Sequence, residues 1–264
     1  MKGLWALVTG ASAGMGRAIA QALAARGVNL LVNGRRENRL LELKEELYGK
    51  HGVQVEPLVF DISNLKQCES ALKGKADLVS EVSILVNNAG LGRGTGPMHE
   101  ASIDDWEQMI DTNIKGLLYM TRLILPHMVK RDAGHVVNIG SVGGRWTLPG
   151  SVVYCATKFA VRAITDGLRM DLMGKKIRVT NIEPGAVKTE FFLARLGDEA
   201  KAEAFFKGFK PLQPEDIAEA VIWCLERPPH VNIQELVVFP TNQVGVGQMY
   251  IHRESTSGPG EQIR

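Results

Sequence analysis

Short apolar runs alternate with longer amphipathic ones along this chain, in a rhythm that repeats six times before the C-terminus. The strand-like runs are Leu4–Thr9, Val28–Asn33, Val53–Phe60, Val82–Asn87, His135–Gly140, Ile177–Ile182 and Leu236–Phe239. The first six are almost wholly apolar, with little polar alternation, which is the pattern of parallel strands covered on both faces. Between them lie the helix-like segments Met15–Arg26, Glu37–Lys50, Leu65–Val79, Ser102–Arg131, Val152–Met173 and Pro214–Glu226. Ser102–Arg131 is long enough to expect a break inside it, and Pro214 followed by Glu215 and Asp216 makes a favourable helix opening. Strands alternating with helices predict right-handed βαβ units. The expected fold is therefore α/β, a Rossmann-type doubly wound sheet of seven parallel strands with helices on both faces. It forms one domain over residues 1–253, followed by a polar, flexible tail over 254–264.

Composition narrows the function classes. The chain has 264 residues, 45% hydrophobic and 23% charged, as a globular domain with a sizeable core should be. A net charge of +2, with basic and acidic residues interspersed, argues against nucleic acid as a partner. No apolar run approaches the ~20 residues needed to span a bilayer, so no membrane association is expected. Cys68, Cys155 and Cys224 stand far apart, and the chain begins on a strand without signal-peptide anatomy; both fit a cytoplasmic protein. The six histidines are scattered without ligand spacing, and no metal is expected.

The glycine pattern points to a nucleotide. Strand one runs into Gly10-Ala11-Ser12-Ala13-Gly14-Met15-Gly16, and a helix follows at once. Glycines there allow a tight turn and bring backbone N–H groups at a helix start close to phosphate. Three glycines alone say little: Gly90–Gly96 holds four, without the strand-to-helix setting. The end of strand two selects the cofactor. An acid there would hold a ribose 2′-hydroxyl and repel a 2′-phosphate, but this chain has Asn33-Gly34-Arg35-Arg36. Two guanidinium groups suit a phosphate dianion, so NADP is expected. The competing reading, an Asn-Gly hairpin with solvated arginines, fails because Leu40, Leu43 and Leu47 continue as a helix.

Chemistry is expected further along. Tyr154 and Lys158 lie four residues apart, on one face of a helix. A nearby ammonium should lower the phenol pKa and make Tyr154 an acid for a developing alkoxide or a base for an alcohol. Ser141, thirteen residues earlier, ends a buried strand, where its hydroxyl can bond the same substrate oxygen. A tyrosine-lysine pair alone could equally be an amphipathic helix face with a snorkelling lysine.

With Thr9–Gly16, Asp61, Asn87-Asn88-Ala89-Gly90, Asn113, Ser141, Tyr154, Lys158, Pro184-Gly185 and Thr189 in that order, the chain resembles the short-chain dehydrogenases/reductases over nearly its whole length. The resemblance implies a catalytic set of Asn113, Ser141, Tyr154 and Lys158. Asp61 and Ile62 would frame the adenine and Asn88 the adenosine. Pro184, Gly185, Val187 and Thr189 would hold the nicotinamide. Lys158 would bind the nicotinamide ribose, and Asn113 would hold a water feeding protons to Lys158. Asp105-Trp106-Glu107, Asp111-Thr112-Asn113, Ile182-Glu183-Pro184-Gly185, Thr189-Glu190-Phe191, Pro214-Glu215-Asp216 and His230-Val231-Asn232-Ile233 resemble a narrower branch, the NADP-dependent 3-hydroxy acid (serine-type) dehydrogenases. Gly185–Thr189 is one residue shorter than that branch's turn, and the stretch beyond Arg253 is extra.

The branch implies a small carbonyl or alcohol substrate bearing a carboxylate, hence a cation beside the site. Arg195 is the first candidate, Arg145 the second and Lys188 the third. Phe191, Phe192, Phe205, Phe206 and Phe209 read equally as a substrate lid or as the core of short helices. A broad carbonyl reductase for 3-oxoacyl, dicarbonyl or sugar-derived substrates is the alternative enzyme. A non-catalytic NADP sensor is disfavoured because Tyr154 and Lys158 are both present. Helix segments 113–129 and 152–173 carry apolar bands too wide for one buried face, and the resemblance implies a homotetramer.

Overall fold

The structure, a computed structural model, describes residues 1–250 and 262–263. Seven parallel strands form the central sheet: β1 (Trp5–Val8), β2 (Asn29–Gly34), β3 (Val55–Val59), β4 (Val82–Asn87), β5 (Gly134–Ile139), β6 (Ile177–Pro184) and β7 (Glu235–Val238), in the order β3-β2-β1-β4-β5-β6-β7. Strands β1 to β6 each serve two cores. Ala6 and Val8 of β1, Leu30 and Val32 of β2, and Ile84 and Val86 of β4 face one side, with α1 (Gly14–Ala24), α2 (Glu37–His51) and α10 (Pro214–Leu225). Leu7, Leu31 and Leu85 face the other. There they meet α3 (Leu65–Lys73), α4 (Ala76–Glu81), α6 (Leu117–Arg131) and the C-terminal end of α7 (Val152–Asp171). Period-two side-chain alternation with apolar cover on both sides is why the runs carry so few polar positions.

Strand order reverses between β1 and β4. The turns leaving those two strands diverge and open a crevice at their C-terminal ends, where ligands of such sheets bind. The glycine turn follows β1 and Asn88-Ala89-Gly90 follows β4, so both reach the crevice.

Two expectations change. Leu65–Val79 is two helices, α3 and α4, because Gly74 caps the first and Lys75 leaves helical geometry. Ser102–Arg131 is not broken: α5 (Ile103–Ile110) passes through one π-helical stretch, Asp111–Gly116, into α6. Asn113 sits in that stretch, the kind of widened turn that recurs at functional sites. The phenylalanine-rich stretch after β6 forms two short helices, α8 (Glu190–Leu196) and α9 (Glu199–Phe205), capped by Thr189 and Asp198 side chains. A hairpin of β8 (Gln243–Gly245) and β9 (Gln248–Tyr250) follows β7, and β10 (Gln262–Ile263) pairs antiparallel with β9. The rest of the expected tail, residues 254–261 and 264, lies outside the described residues.

Candidate active site

The crevice holds two adjoining cavities of about 350 and 310 Å³, joined through Met15, Asn88, Gly90, Thr189 and Phe191. The larger lies over the glycine turn. Gly10 and Gly14 have φ of +66° and +52°, backbone that a side chain would strain, and a Cβ at Gly16 would stand 2.3 Å from the Gly10 carbonyl oxygen. Only glycine lets the chain turn that tightly against the start of α1. Thr9 Oγ1 accepts from the backbone N–H of Asn88 and Ala89, both at 3.0 Å, and Asn88 Nδ2 donates to the Thr9 carbonyl at 2.9 Å. These bonds lock the two diverging turns together.

Ser12, Ala13, Arg35, Arg36, Asp61 and Ile62 line the same cavity. Arg36 donates from Nη2 and Nε to Ser12 Oγ at 3.1 and 3.3 Å, so its guanidinium lies across the glycine turn. Arg35 is more exposed and pairs with Asp61 at 3.4 Å. Burial alone would raise the Asp61 carboxyl, but hydrogen bonds from Ser63 and the Arg35 charge outweigh it and hold the carboxyl below its ordinary value. A dinucleotide fits this crevice. A glycine turn at a helix start faces it, cationic groups stand at its far end, and Asn88 Oδ1 is buried between the cavities with no partner among the described residues. That oxygen can accept a hydroxyl hydrogen of a bound ribose.

Ser141, Tyr154, Lys158, Arg195, Pro184, Gly185, Val187 and Thr189 line the second cavity. Ser141 leaves β5 and caps a single 3-10 turn, accepting from Gly143 N–H at 3.0 Å. A Cβ at Gly143 would lie 3.4 Å from Ser141 Oγ and 3.3 Å from the Tyr154 ring, so this glycine lets the two side chains share one space. Tyr154 comes from the first turn of α7 and is 9% exposed; Lys158, one turn on, is 7% exposed and donates to the Ile139 carbonyl at 2.9 Å. Burial pushes Lys158 down to about 8, which makes it able to exchange protons near neutral pH.

One expectation reverses here. Burial pushes the Tyr154 phenol above its ordinary value; the Ser141 hydrogen bond and the Arg195 charge pull it down, but burial wins. Desolvation of the phenolate outweighs every cation around it in this structure, and Lys158 is not among the groups lowering it.

Asn113 stands beside Lys158. A Cβ on Gly90 would lie 3.2 Å from Asn113 Oδ1 and 3.5 Å from Lys158 Nζ. The Asn113 amide accepts from Leu91 N–H at 2.8 Å and donates to Leu91 O at 2.8 Å and Thr157 Oγ1 at 3.0 Å. It thereby pins the turn after β4 onto α7.

The two candidate arginines part company. Arg195 of α8 lies with its guanidinium carbon 5.2 Å from the Tyr154 ring centre, donates to Ser151 Oγ, and borders the cavity. Arg145 does not border it. The 3-10 turn swings its guanidinium to the β6–β7 side, where it pairs with Glu183 and Glu235, the former fully buried. An arginine committed to a buried carboxylate is no substrate anchor, so its placement in the pocket is corrected. Lys188 does not border the cavity either. Phe191, Phe192 and Phe205 line the cavity while stacking on each other and on Phe206 and Phe209, so the aromatic group is both wall and small core. Phe191 also meets the Tyr154 ring, centroids 5.6 Å apart.

Sequence reasoning missed Gln243, whose Oε1 accepts from Ala186 N–H at 2.9 Å and stitches the loop after β6 to the hairpin. It missed Arg39 as well, which joins Arg36 on Glu190. Gln243 gives no local signal, since its role depends on a hairpin from elsewhere in the chain.

Comparisons with known proteins agree with this geometry. Residues 4–199 match the family model of the short chain dehydrogenases. The chain is 47% identical over 250 residues to an NADP-dependent 3-hydroxy acid dehydrogenase of Escherichia coli, covering 94% of this chain and 99% of that one. It is 44% identical over 239 residues to a sulfoacetaldehyde reductase of Chromohalobacter salexigens, covering 90% and 94%. The solved closed form of a serine dehydrogenase complexed with NADP⁺ superposes with a TM-score of 0.87 at 46% identity, over 95% of this chain and all of that one. With its glycine crevice, its serine, tyrosine and lysine on one cavity, and these relatives across nearly its full length, the chain belongs to the short-chain dehydrogenase family.

Proposed function

We propose that this protein is an NADP(H)-dependent oxidoreductase. It interconverts a small 3-hydroxy acid and its carbonyl partner, a semialdehyde or 3-oxo acid. The observation that carries the reading is the meeting of Ser141, Tyr154 and Arg195 on one cavity, joined to a crevice lined by the glycine turn and Arg36. The 3-hydroxy acid dehydrogenase is named NADP-dependent and the solved serine dehydrogenase is complexed with NADP⁺. The two relatives' named substrates, a 3-hydroxy acid and sulfoacetaldehyde, are small anions with the reacting carbon close to the charge.

The division of labour follows from position. NADP(H) supplies or accepts the hydride when bound. Gly10, Ser12, Ala13, Gly14, Met15 and Gly16 form its pyrophosphate cradle, Arg35 and Arg36 take its 2′-phosphate, and Asp61, Ile62 and Asn88 border its adenosine. Pro184, Gly185, Val187 and Thr189 hold the nicotinamide end, with Lys158 on its ribose. Tyr154 Oη gives a proton to the carbonyl oxygen in reduction and takes it back in oxidation. A phenol whose pKa is raised by burial stays protonated near neutral pH, the form that reduction needs. Ser141 Oγ holds the same oxygen. Arg195 binds the carboxylate in a forked pair, a geometry that lysine cannot supply. Asn113 ties the turn after β4 to α7 beside Lys158, through its bonds to Leu91 and Thr157.

Assembly and compartment belong to the same proposal. Ile110, Leu118, Val152, Phe159 and Met170 on α5, α6 and α7 are exposed and apolar, which supports a homotetramer closed through these helices. The three cysteines are free and buried, which fits the cytoplasm, and no helix among the described residues is long and apolar enough to cross a membrane. Light scattering at micromolar concentration should give four times the chain mass; a monomer would remove the assembly.

The function is tested by turnover over a panel with NADP⁺ and NADPH: 3-hydroxy acids, semialdehydes, 3-oxoacyl thioesters, dicarbonyls and apolar ketones. The anionic three- and four-carbon members should lead in kcat/KM. A lead by uncharged ketones would transfer the protein to the broad carbonyl reductases.

A further inference from the structure

Glu190 opens α8 where the two cavities join, and the chemistry above makes no use of it. Its carboxylate accepts from Arg36 Nη1 at 2.9 Å and from Arg39 Nη1 at 2.6 Å, clamped between two guanidinium groups of α2 and its cap. Those hydrogen bonds and charges hold the Glu190 carboxyl below its ordinary value, so it is ionised at neutral pH. A phosphate monoester binding at Arg36 would need the same guanidinium, already divided between Ser12 and Glu190. One residue further along α8, Phe191 packs on the Tyr154 ring, and Arg195 lies over that ring from the next turn. Whatever fixes Glu190 therefore also fixes the wall of the substrate cavity.

We propose that Glu190 is a specificity-determining and positioning residue. Its carboxylate competes with the cofactor 2′-phosphate for Arg36 and Arg39, and so limits NADP(H) affinity, while anchoring α8 over the substrate. The inference rests on the NADP(H) reading and on the 2′-phosphate lying at Arg36. It makes cofactor and substrate binding respond with opposite sign to one charge, which a residue needed only for folding would not do.

Glu190→Gln removes the charge and keeps the shape at a side chain half exposed to solvent, so the fold should tolerate it. Removing one unit charge from the guanidinium that a phosphate dianion would share, in a water-like medium screened by salt, should change affinity about 3- to 10-fold. Titration calorimetry of native protein and Glu190→Gln should use NADPH, NADH and adenosine 2′,5′-bisphosphate as probes. NADPH and the bisphosphate should bind the variant about 3- to 10-fold tighter, and NADH should shift by less than about 2-fold. The NADPH gain should shrink at high salt. In turnover the substrate KM should rise about 2- to 5-fold with kcat little changed, since exposed ion pairs of this kind are individually weak. Glu190→Asp, which keeps the charge, should restore native NADPH affinity. Unchanged or weaker binding of NADPH by Glu190→Gln, in a native protein that prefers NADPH, overturns the proposal. Equal native affinity for NADPH and NADH would instead remove the cofactor reading beneath it.

Discussion

Replacing Arg195 by leucine separates recognition from chemistry. The guanidinium has two connections in the structure, a hydrogen bond to Ser151 Oγ and a face-on approach to the Tyr154 ring at 5.2 Å. If it also receives the substrate carboxylate, its loss removes a charge-assisted bond worth about 1.5–3 kcal/mol, or about 10- to 150-fold in kcat/KM. That loss falls only on substrates carrying the charge. A smaller effect falls on every substrate: the Arg195 charge opposes the burial that raises the Tyr154 phenol, so removing it pushes the phenol higher still. Alcohol oxidation, which needs the phenolate, should slow modestly for charged and neutral substrates together. The assay is initial-rate kinetics, followed by NADPH absorbance, on a 3-hydroxy acid and its carboxamide. The ratio of the two isolates recognition, because the effect on Tyr154 cancels. Arg195→Leu should lower the acid-to-amide ratio by about 10-fold or more, and Arg195→Lys, with charge but no fork, should fall between. If both substrates suffer equally, Arg195 is a structural partner of Ser151 and Tyr154, and the carboxylate assignment is wrong.

Other outcomes follow from the same geometry. Tyr154→Phe should cut kcat by about 10²- to 10⁴-fold while NADPH affinity by calorimetry stays within about 2-fold; near-native turnover would end the proton-transfer role. Arg145→Leu should leave the buried Glu183 carboxylate unpaired and destabilise the fold by about 3–5 kcal/mol in urea unfolding, with the acid-to-amide ratio unchanged; a stable variant with a fallen ratio would return Arg145 to the substrate. His135 is buried between strands, held by Thr180, and burial pushes it down to about 3 from 6.5. Below pH 6.5 the unfolded chain binds a proton there that the folded chain refuses, so this contribution weakens stability as pH falls from about 6.5 toward 3. By pH 5 it reaches about 2 kcal/mol, and His135→Asn should abolish that increment of the fall between pH 8 and 5. An identical fall in the variant would show that His135 does not titrate this way.

Much of this was legible in the sequence because each layer of the fold leaves its own mark. Strands covered on both faces need apolar centres, and Trp5–Val8 of β1, Leu30–Val32 of β2 and Ile84–Val86 of β4 supply them. The glycine turn, Ser141 and Asn88 could be placed because they directly follow buried strands, and strand ends define the crevice. Tyr154 and Lys158 share a helix face by spacing alone. Arg145 misled for the opposite reason. It follows Ser141 closely in sequence, but one 3-10 turn rotates it away, and the cue was Glu183, an acid in an otherwise buried strand that needs a cation. The short α8 and α9 bury no residue fully, so they have no strong apolar period, although Thr189-Glu190 and Asp198-Glu199 are helix-start signals. The direction of the Tyr154 shift depends on how deeply the phenol is enclosed, which spacing along a helix cannot tell.

On the proposed function, this crevice reads a 2′-phosphate and this cavity reads a 3-hydroxy acid. Parallel measurement of kcat/KM for one 3-hydroxy acid with NADP⁺ and with NAD⁺, on the native protein, tests both at once. Turnover with NADP⁺ at least about 10-fold more efficient than with NAD⁺, a difference of about 1.4 kcal/mol, is the predicted result. Equal use of the two cofactors, or no turnover of any 3-hydroxy acid with either, would contradict it.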